Sequence, residues 1–156
     1  MKTFLSLAVL VSISFSALAA TSDDLKLKGK VPKKLSILVT PDPIALNLDL
    51  EASPTALFVA SVNEKSNSNT GYKIEADSLN DGKLVNQQDT NESVTYSMTY
   101  DGNAVNLATV SEVKNVASSG VHDNDSDVTI AYTGAPHESR VEGTYTDTVT
   151  FTISAN

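Results

Sequence analysis

GTYTDTVTFTISAN, residues Gly143 to Asn156, closes the chain. Thr144, Thr146, Thr148, Thr150 and Thr152 fall on one face of an extended backbone. Tyr145, Val149, Phe151 and Ile153 fall on the other, with Asp147 as the one interruption. Side chains alternate across a strand, so the stretch predicts a half-buried β-strand with a hydroxyl face toward water. A strand of this quality needs a partner, and the rest of the sequence has to supply it.

The same two-residue period recurs along the chain. Leu25, Leu27, Gly29 and Val31 alternate with Lys26, Lys28 and Lys30; Leu35, Ile37 and Val39 follow, until Pro41-Asp42-Pro43 breaks the run. Leu46, Leu48 and Leu50 alternate next, then Phe58, Ala60 and Val62, while Glu64 to Thr70 reads as a polar loop. Tyr72, Ile74 and Ala76 make a strand closed by Asn80-Asp81-Gly82. Val94, Tyr96, Met98 and Tyr100 make another, and Asp101-Gly102 is a hairpin signal leading into Val105 and Leu107. Ser111 to Asp127 reads as a long loop before Val128, Ile130 and Tyr132. Short strands between turn signals, with no helical period between them, predict an all-β antiparallel sandwich of the immunoglobulin-like kind. Its expected core is Tyr72, Ile74, Val94, Tyr96, Met98, Val128, Ile130, Val149, Phe151 and Ile153.

The first twenty residues, MKTFLSLAVLVSISFSALAA, follow a different logic. Lys2, an apolar stretch from Phe4 to Phe15 and Ala17-Leu18-Ala19 have the order of a signal peptide with its cleavage site. The expectation is an exported protein, with residues 1–19 removed and 20–156 forming one domain. The apolar run is short for a span of about 20 residues, so no membrane span is expected. The sequence has no cysteine, so disulfides, thiolate nucleophiles and cysteine metal sites are excluded.

Charge is divided unevenly. Residues 20–34 carry five lysines against two aspartates, a net of +3; residues 35–156 carry five basic against seventeen acidic side chains, a net of −12. An acidic body argues against nucleic acid as a partner. Little in the sequence suits catalysis. His122 and His137 are the only histidines, no serine sits in a nucleophile elbow, and no phosphate-binding glycine loop or zinc spacing occurs. Neither a catalytic set nor a cofactor is expected. Asp123, Asp125 and Asp127 alternate as calcium ligands can, but Val128 and Gly134 stand where an EF-hand needs glycine and glutamate. They are weak metal candidates beside the simpler reading of a solvated acidic loop.

Gly143 is the fourteenth residue from the end and opens the alternating run. That arrangement resembles the C-terminal signature of chaperone–usher fimbrial (pilin) subunits, whose last strand closes an incomplete immunoglobulin-like sandwich. GTYTDTVTFTI is also similar to the closing strand of spore-coat-U-like secreted domains. DDLKLKGKVPKKLSILVTP resembles the N-terminal segment of the cysteine-free colonisation-factor major pilins, SVTYSMTYDGNAVNL their glycine-turn hairpin, and VTIAYTGAP the strand before the last. Two positions depart from the pattern. Ala155 stands where many pilins have a penultimate aromatic, and only about five residues precede Leu25 once residues 1–19 are removed.

The resemblance implies a surface-fibre subunit acting in adhesion, exported to the periplasm and then to the cell-surface fimbrium or medium. Its partners would be copies of itself or related subunits, a periplasmic chaperone and an outer-membrane usher. Residues 20–34 would be the donor strand, with Leu25, Leu27 and Val31 as knobs and Gly29 at a narrow point. The receiving side would use Gly143, Tyr145, Val149, Phe151 and Ile153. Donor-strand complementation of this kind satisfies backbone groups and buries alternate side chains. A head-to-tail contact that does not close on itself builds a fibre. The alternative is a self-contained exported sandwich that binds a carbohydrate, protein or matrix component, with Leu25 to Val31 paired in its own sheet.

Overall fold

A computed structural model describes residues 21–156; the expected signal peptide lies outside the described residues. The chain divides into a segment ending at Val31 and a body of Pro32–Asn156. Within the first, residues 21–31 form neither strand nor helix and all are exposed, Leu25, Leu27 and Val31 at 85%, 86% and 83%. The alternating Leu–Lys run is therefore no strand of its own sheet.

The body is all-β and antiparallel, in two sheets. Ten strands occur in chain order: β1 (Leu35–Pro41), β2 (Leu57–Ser66), β3 (Tyr72–Ser78), β4 (Lys83–Asn86), β5 (Ser93–Tyr100), β6 (Asn103–Val105), β7 (Ser111–Val116), β8 (His122–Tyr132), β9 (Tyr145–Thr146) and β10 (Val149–Ala155). The larger sheet has the order β1-β2-β8-β5-β4-β9, with β6 on the C-terminal half of β5; the smaller is β10-β3-β7. Turn chemistry does what the sequence promised. Asp101 and Gly102 take φ of 51° and 76° between β5 and β6, and Asp81 and Gly82 take 53° and 74° between β3 and β4. Paired positive φ values are those of type I′ turns, which Asp-Gly adopts at low cost.

The core lies between the sheets and includes Tyr72, Ile74, Val94, Tyr96, Met98, Val128 and Ile130, as expected, joined by Ala60, Val62, Ala76, Leu84, Tyr100, Leu107 and Tyr132. Val149, Phe151 and Ile153 are only partly buried, because β10 is an edge strand. Phe58 departs from the expected phase and is exposed. Between β2 and β8 the register jumps from Phe58↔Thr129 to Ala60↔Val128, leaving Val59 as a bulge. One extra residue reverses the facing of everything before it.

Other expectations give way to tertiary context. The stretch Ser111 to Asp127 is not a long loop: it holds β7 and the start of β8. Polar side chains occupy both faces of these strands, Ser126 inward and Asp123, Asp125 and Asp127 outward, so a search for apolar alternation misses them. Leu46, Leu48 and Leu50 do not form a strand; Pro43–Leu46 is a 3-10 turn capped by Asp42, whose carboxylate accepts the Ile44 N–H at 2.9 Å. Glu64 is no loop residue but the interior of β2, with no exposed side-chain surface.

The final stretch is the largest revision. Gly143–Asn156 is two strands in two sheets: β9 pairs with β4, and β10 pairs with β3. Asp147 stands at the crossing. Its carboxylate accepts hydrogen bonds from Ser78 Oγ (2.6 Å), Tyr96 Oη (2.6 Å), Asn80 N (3.0 Å) and Thr148 N (2.7 Å). One hydroxyl from each sheet and two backbone N–H groups of the adjoining turns hold the chain where it changes partner, so the interruption in the pattern is the switch point itself.

Candidate functional site: an open groove along the last strand

β10 pairs with β3 on one side only, and β1 pairs with β2 on one side only. These two edges approach to within 8 Å between Cα atoms without sharing a ladder. Between them opens a cavity of about 310 Å³, walled by Val39 and Pro41 of β1 and by Val149 and Phe151 of β10. Its floor includes core side chains, among them Met98 and Val128. The cleft therefore opens directly onto core side chains. Phe151 leans on the core ring of Tyr100, centroids 5.6 Å apart and tilted 41°.

The cleft continues past Asp147. A second cavity of about 380 Å³ lies between Ala45–Leu50 and Gly143–Asp147, and a third of about 530 Å³ between Asn47–Leu50 and the stretch from His137 to Tyr145. Neighbouring cavities share lining residues, including Leu48 throughout, so the three run together beside the terminal stretch from Gly143 to Phe151. Gly143 fits this wall because nothing larger would. Its φ is +152°, and a Cβ there would overlap the side-chain amides of Asn86 and Gln88. Asn86 is fully buried and donates to Val141 O (3.3 Å) and Glu142 O (3.2 Å), which ties down the chain as it approaches β9.

Of the residues singled out in the sequence, Gly143, Tyr145, Val149 and Phe151 line this groove; Ile153 packs partly buried against the core beyond it. Leu25, Leu27, Gly29 and Val31 lie in the separate exposed segment, and a Cβ on Gly29 would meet nothing within 4 Å. Asp123, Asp125 and Asp127 are not a loop. They alternate on the exposed face of β8, where Asn63 Nδ2 donates to Asp123 (2.9 Å) and Asp125 (2.8 Å). Asn63 and Lys65 hold the Asp123 carboxyl below the usual range. Among the described residues, no group of three or more His, Asp or Glu side chains is placed to hold a metal ion. His122 Nε2 contacts Ser118 O at 3.1 Å, and His137 Nδ1 lies 3.6 Å from Glu51.

Sequence reading missed a buried polar cluster between the sheets, centred on Glu64. Glu64 accepts hydrogen bonds from Tyr72 Oη (2.6 Å), Ser126 Oγ (2.8 Å) and Tyr100 Oη, and Lys114 Nζ lies 3.2 Å away. Lys114 also pairs with Asp101 at 3.2 Å. Burial works against ionisation of Asp101, but hydrogen bonds from Ser126 and Lys114 outweigh it and hold the carboxyl below its ordinary range. Burial, then the bond to Glu64, pushes the Tyr72 phenol up to about 12 and moves Tyr100 in the same direction. A buried charge is tolerable only when its lone pairs are taken up, and here strands from both sheets do so. The cluster therefore fastens the two sheets to each other, through Tyr72 and Lys114 of the smaller sheet and Glu64, Tyr100 and Ser126 of the larger. Its parity was visible: Glu64 follows Ala60 and Val62 at alternate positions.

No family model matches the chain, and no curated protein matches it. Among the described residues, no helix is long and apolar enough to cross a membrane.

Proposed function

We propose that the protein is a structural subunit of a bacterial surface fibre, assembled when the N-terminal segment of one copy enters the groove of the next. The carrying observation is the unpaired edge of β10 beside a cleft that opens onto core side chains. An added strand would satisfy that edge and cover the floor, the physics of β-strand addition. The chain carries a segment of suitable chemistry: residues 21–31 are unpaired, with exposed leucines at alternate positions. Charge supports the pairing, since the segment around those leucines is basic and the body strongly acidic. Export, a chaperone that shields the groove and an usher belong to this proposal through the pilin resemblance, as does a role in adhesion.

Residues 21–31 are exposed and unpaired, so after deletion of residues 20–31 the body should stay folded and lose the ability to polymerise. A synthetic peptide of residues 21–34 should bind it one to one and raise its melting temperature. A peptide with aspartate at Leu25 and Leu27 should not bind, because charged side chains would face the apolar floor. A body indifferent to the native peptide, together with a full-length protein that is monomeric at every concentration, would overturn the proposal.

A further inference from the structure

Donation to a second copy, rather than back into the donor's own groove, needs a physical cause, because the segment immediately precedes β1 and β1 is a wall of that groove. This inference rests on the strand-donation reading. A chain that leaves β1 can lie beside β1 in two ways. It can turn back through a tight hairpin, or it can cross over through a connection of roughly a dozen residues. Only Pro32, Lys33 and Lys34 separate Val31 from Leu35, so the crossover is excluded and the hairpin alone is left.

Asn67 bars the hairpin. The β1–β2 ladder ends at Leu35↔Ser66, and Asn67 extends it by one position on the β2 side. Its backbone N–H donates to Lys34 O at 3.2 Å. Its side chain then stands in for a further stretch of strand: Oδ1 accepts the Lys34 N–H at 2.6 Å and Nδ2 donates to Pro32 O at 3.0 Å. Three hydrogen bonds from one residue keep Pro32–Lys34 in line with β1. A tight hairpin would take Pro32 and Lys33 for its turn, so turning back would give up the bond to Pro32 O and pull on the two at Lys34. Proline stiffens the same point, since its ring fixes φ.

We infer that Asn67 is a directional clamp that keeps the N-terminal segment out of its own groove and so commits it to a second copy of the chain. An amide is suited to the task, because one side chain both accepts from Lys34 and donates to Pro32; alanine does neither, and aspartate only accepts.

The test uses the full mature chain and reads the ratio of monomer to polymer at fixed concentration by light scattering and unheated gels. Asn67→Ala should raise the monomer share on the order of tenfold, the effect of losing about two hydrogen bonds. Those monomers should refuse the added 21–34 peptide, because their grooves are filled. Inserting four flexible residues between Val31 and Pro32, with Asn67 retained, should do the same by lengthening the loop, and it keeps the question open to test if Asn67→Ala misfolds. An Asn67→Ala ratio equal to that of the unaltered chain, or a lengthened chain that still polymerises fully, would overturn the clamp. Failure of the strand-donation reading looks different: there the body without residues 20–31 does not bind the peptide at all.

Discussion

A carboxylate with no exposed surface needs several donors, and Glu64 draws them from two tyrosines, a serine and a lysine. The tyrosines carry a readable consequence. Burial foremost, with a nearby carboxylate next, raises the phenols of Tyr72 and Tyr100 through Glu64, Tyr96 through Asp147 and Tyr132 through Asp49. A phenol whose pKa is higher in the folded state favours folding while it stays protonated. Its contribution is complete below the unfolded value of about 10 and is lost as pH rises through the folded value, about 12 for Tyr72. In an alkaline titration these four phenols should stay neutral while the far-ultraviolet spectrum remains native, then ionise together with unfolding. Four phenolates appearing in a still-folded protein would contradict the buried arrangement.

At the scale of elements, the terminal stretch gains its two-sheet course from Asp147. β9 and β10 are separated by Asp147 and Thr148 alone, and Leu79 N donates to Thr148 O at 2.9 Å across the corner. Asp147→Ala removes the acceptor for four donors, one of them the buried Ser78 hydroxyl, and should lower stability by on the order of 3 kcal/mol. Amide exchange would locate the loss: protection should fall first in β9 and at the corner, with β2 and β8 retained. Equal loss throughout the body would argue against a local switch.

At the scale of the whole body, the polar cluster ties the two sheets together while the groove beside β10 opens onto the core, so stability should depend on whether the groove is filled. Phe151 reports on this because it is a wall rather than a fully enclosed core residue. Phe151→Ala should cost about 1.5–3 kcal/mol in the body lacking residues 20–31, the worth of a largely buried side chain. With the 21–34 peptide bound, the cost should rise to about 3–5 kcal/mol, the range for a large ring lost from an enclosed core. Denaturant unfolding with and without peptide measures both. Equal costs in the two states would mean that the groove is not covered where Phe151 stands.

Local chemistry determined much of this protein. The two-residue period at Tyr72–Ala76, Val94–Tyr100 and Val128–Tyr132 states which faces are buried, and Asp101-Gly102 and Asn80-Asp81-Gly82 state where the chain turns, because alternation and positive φ act over a few bonds. The uneven charge and the alternating leucines from Leu25 were equally legible in the sequence. Tertiary structure alone decided the rest. The Val59 bulge turned Phe58 outward, β7 formed from a polar stretch because β3 offered it an edge, and Asp147 became a corner because donors from both sheets converge on it. Glu64 could be buried only because side chains distant in sequence, from Tyr100 to Ser126, meet around it. The groove exists because β1 and β10 end their sheets side by side, a relation between strands more than a hundred positions apart that no local pattern encodes.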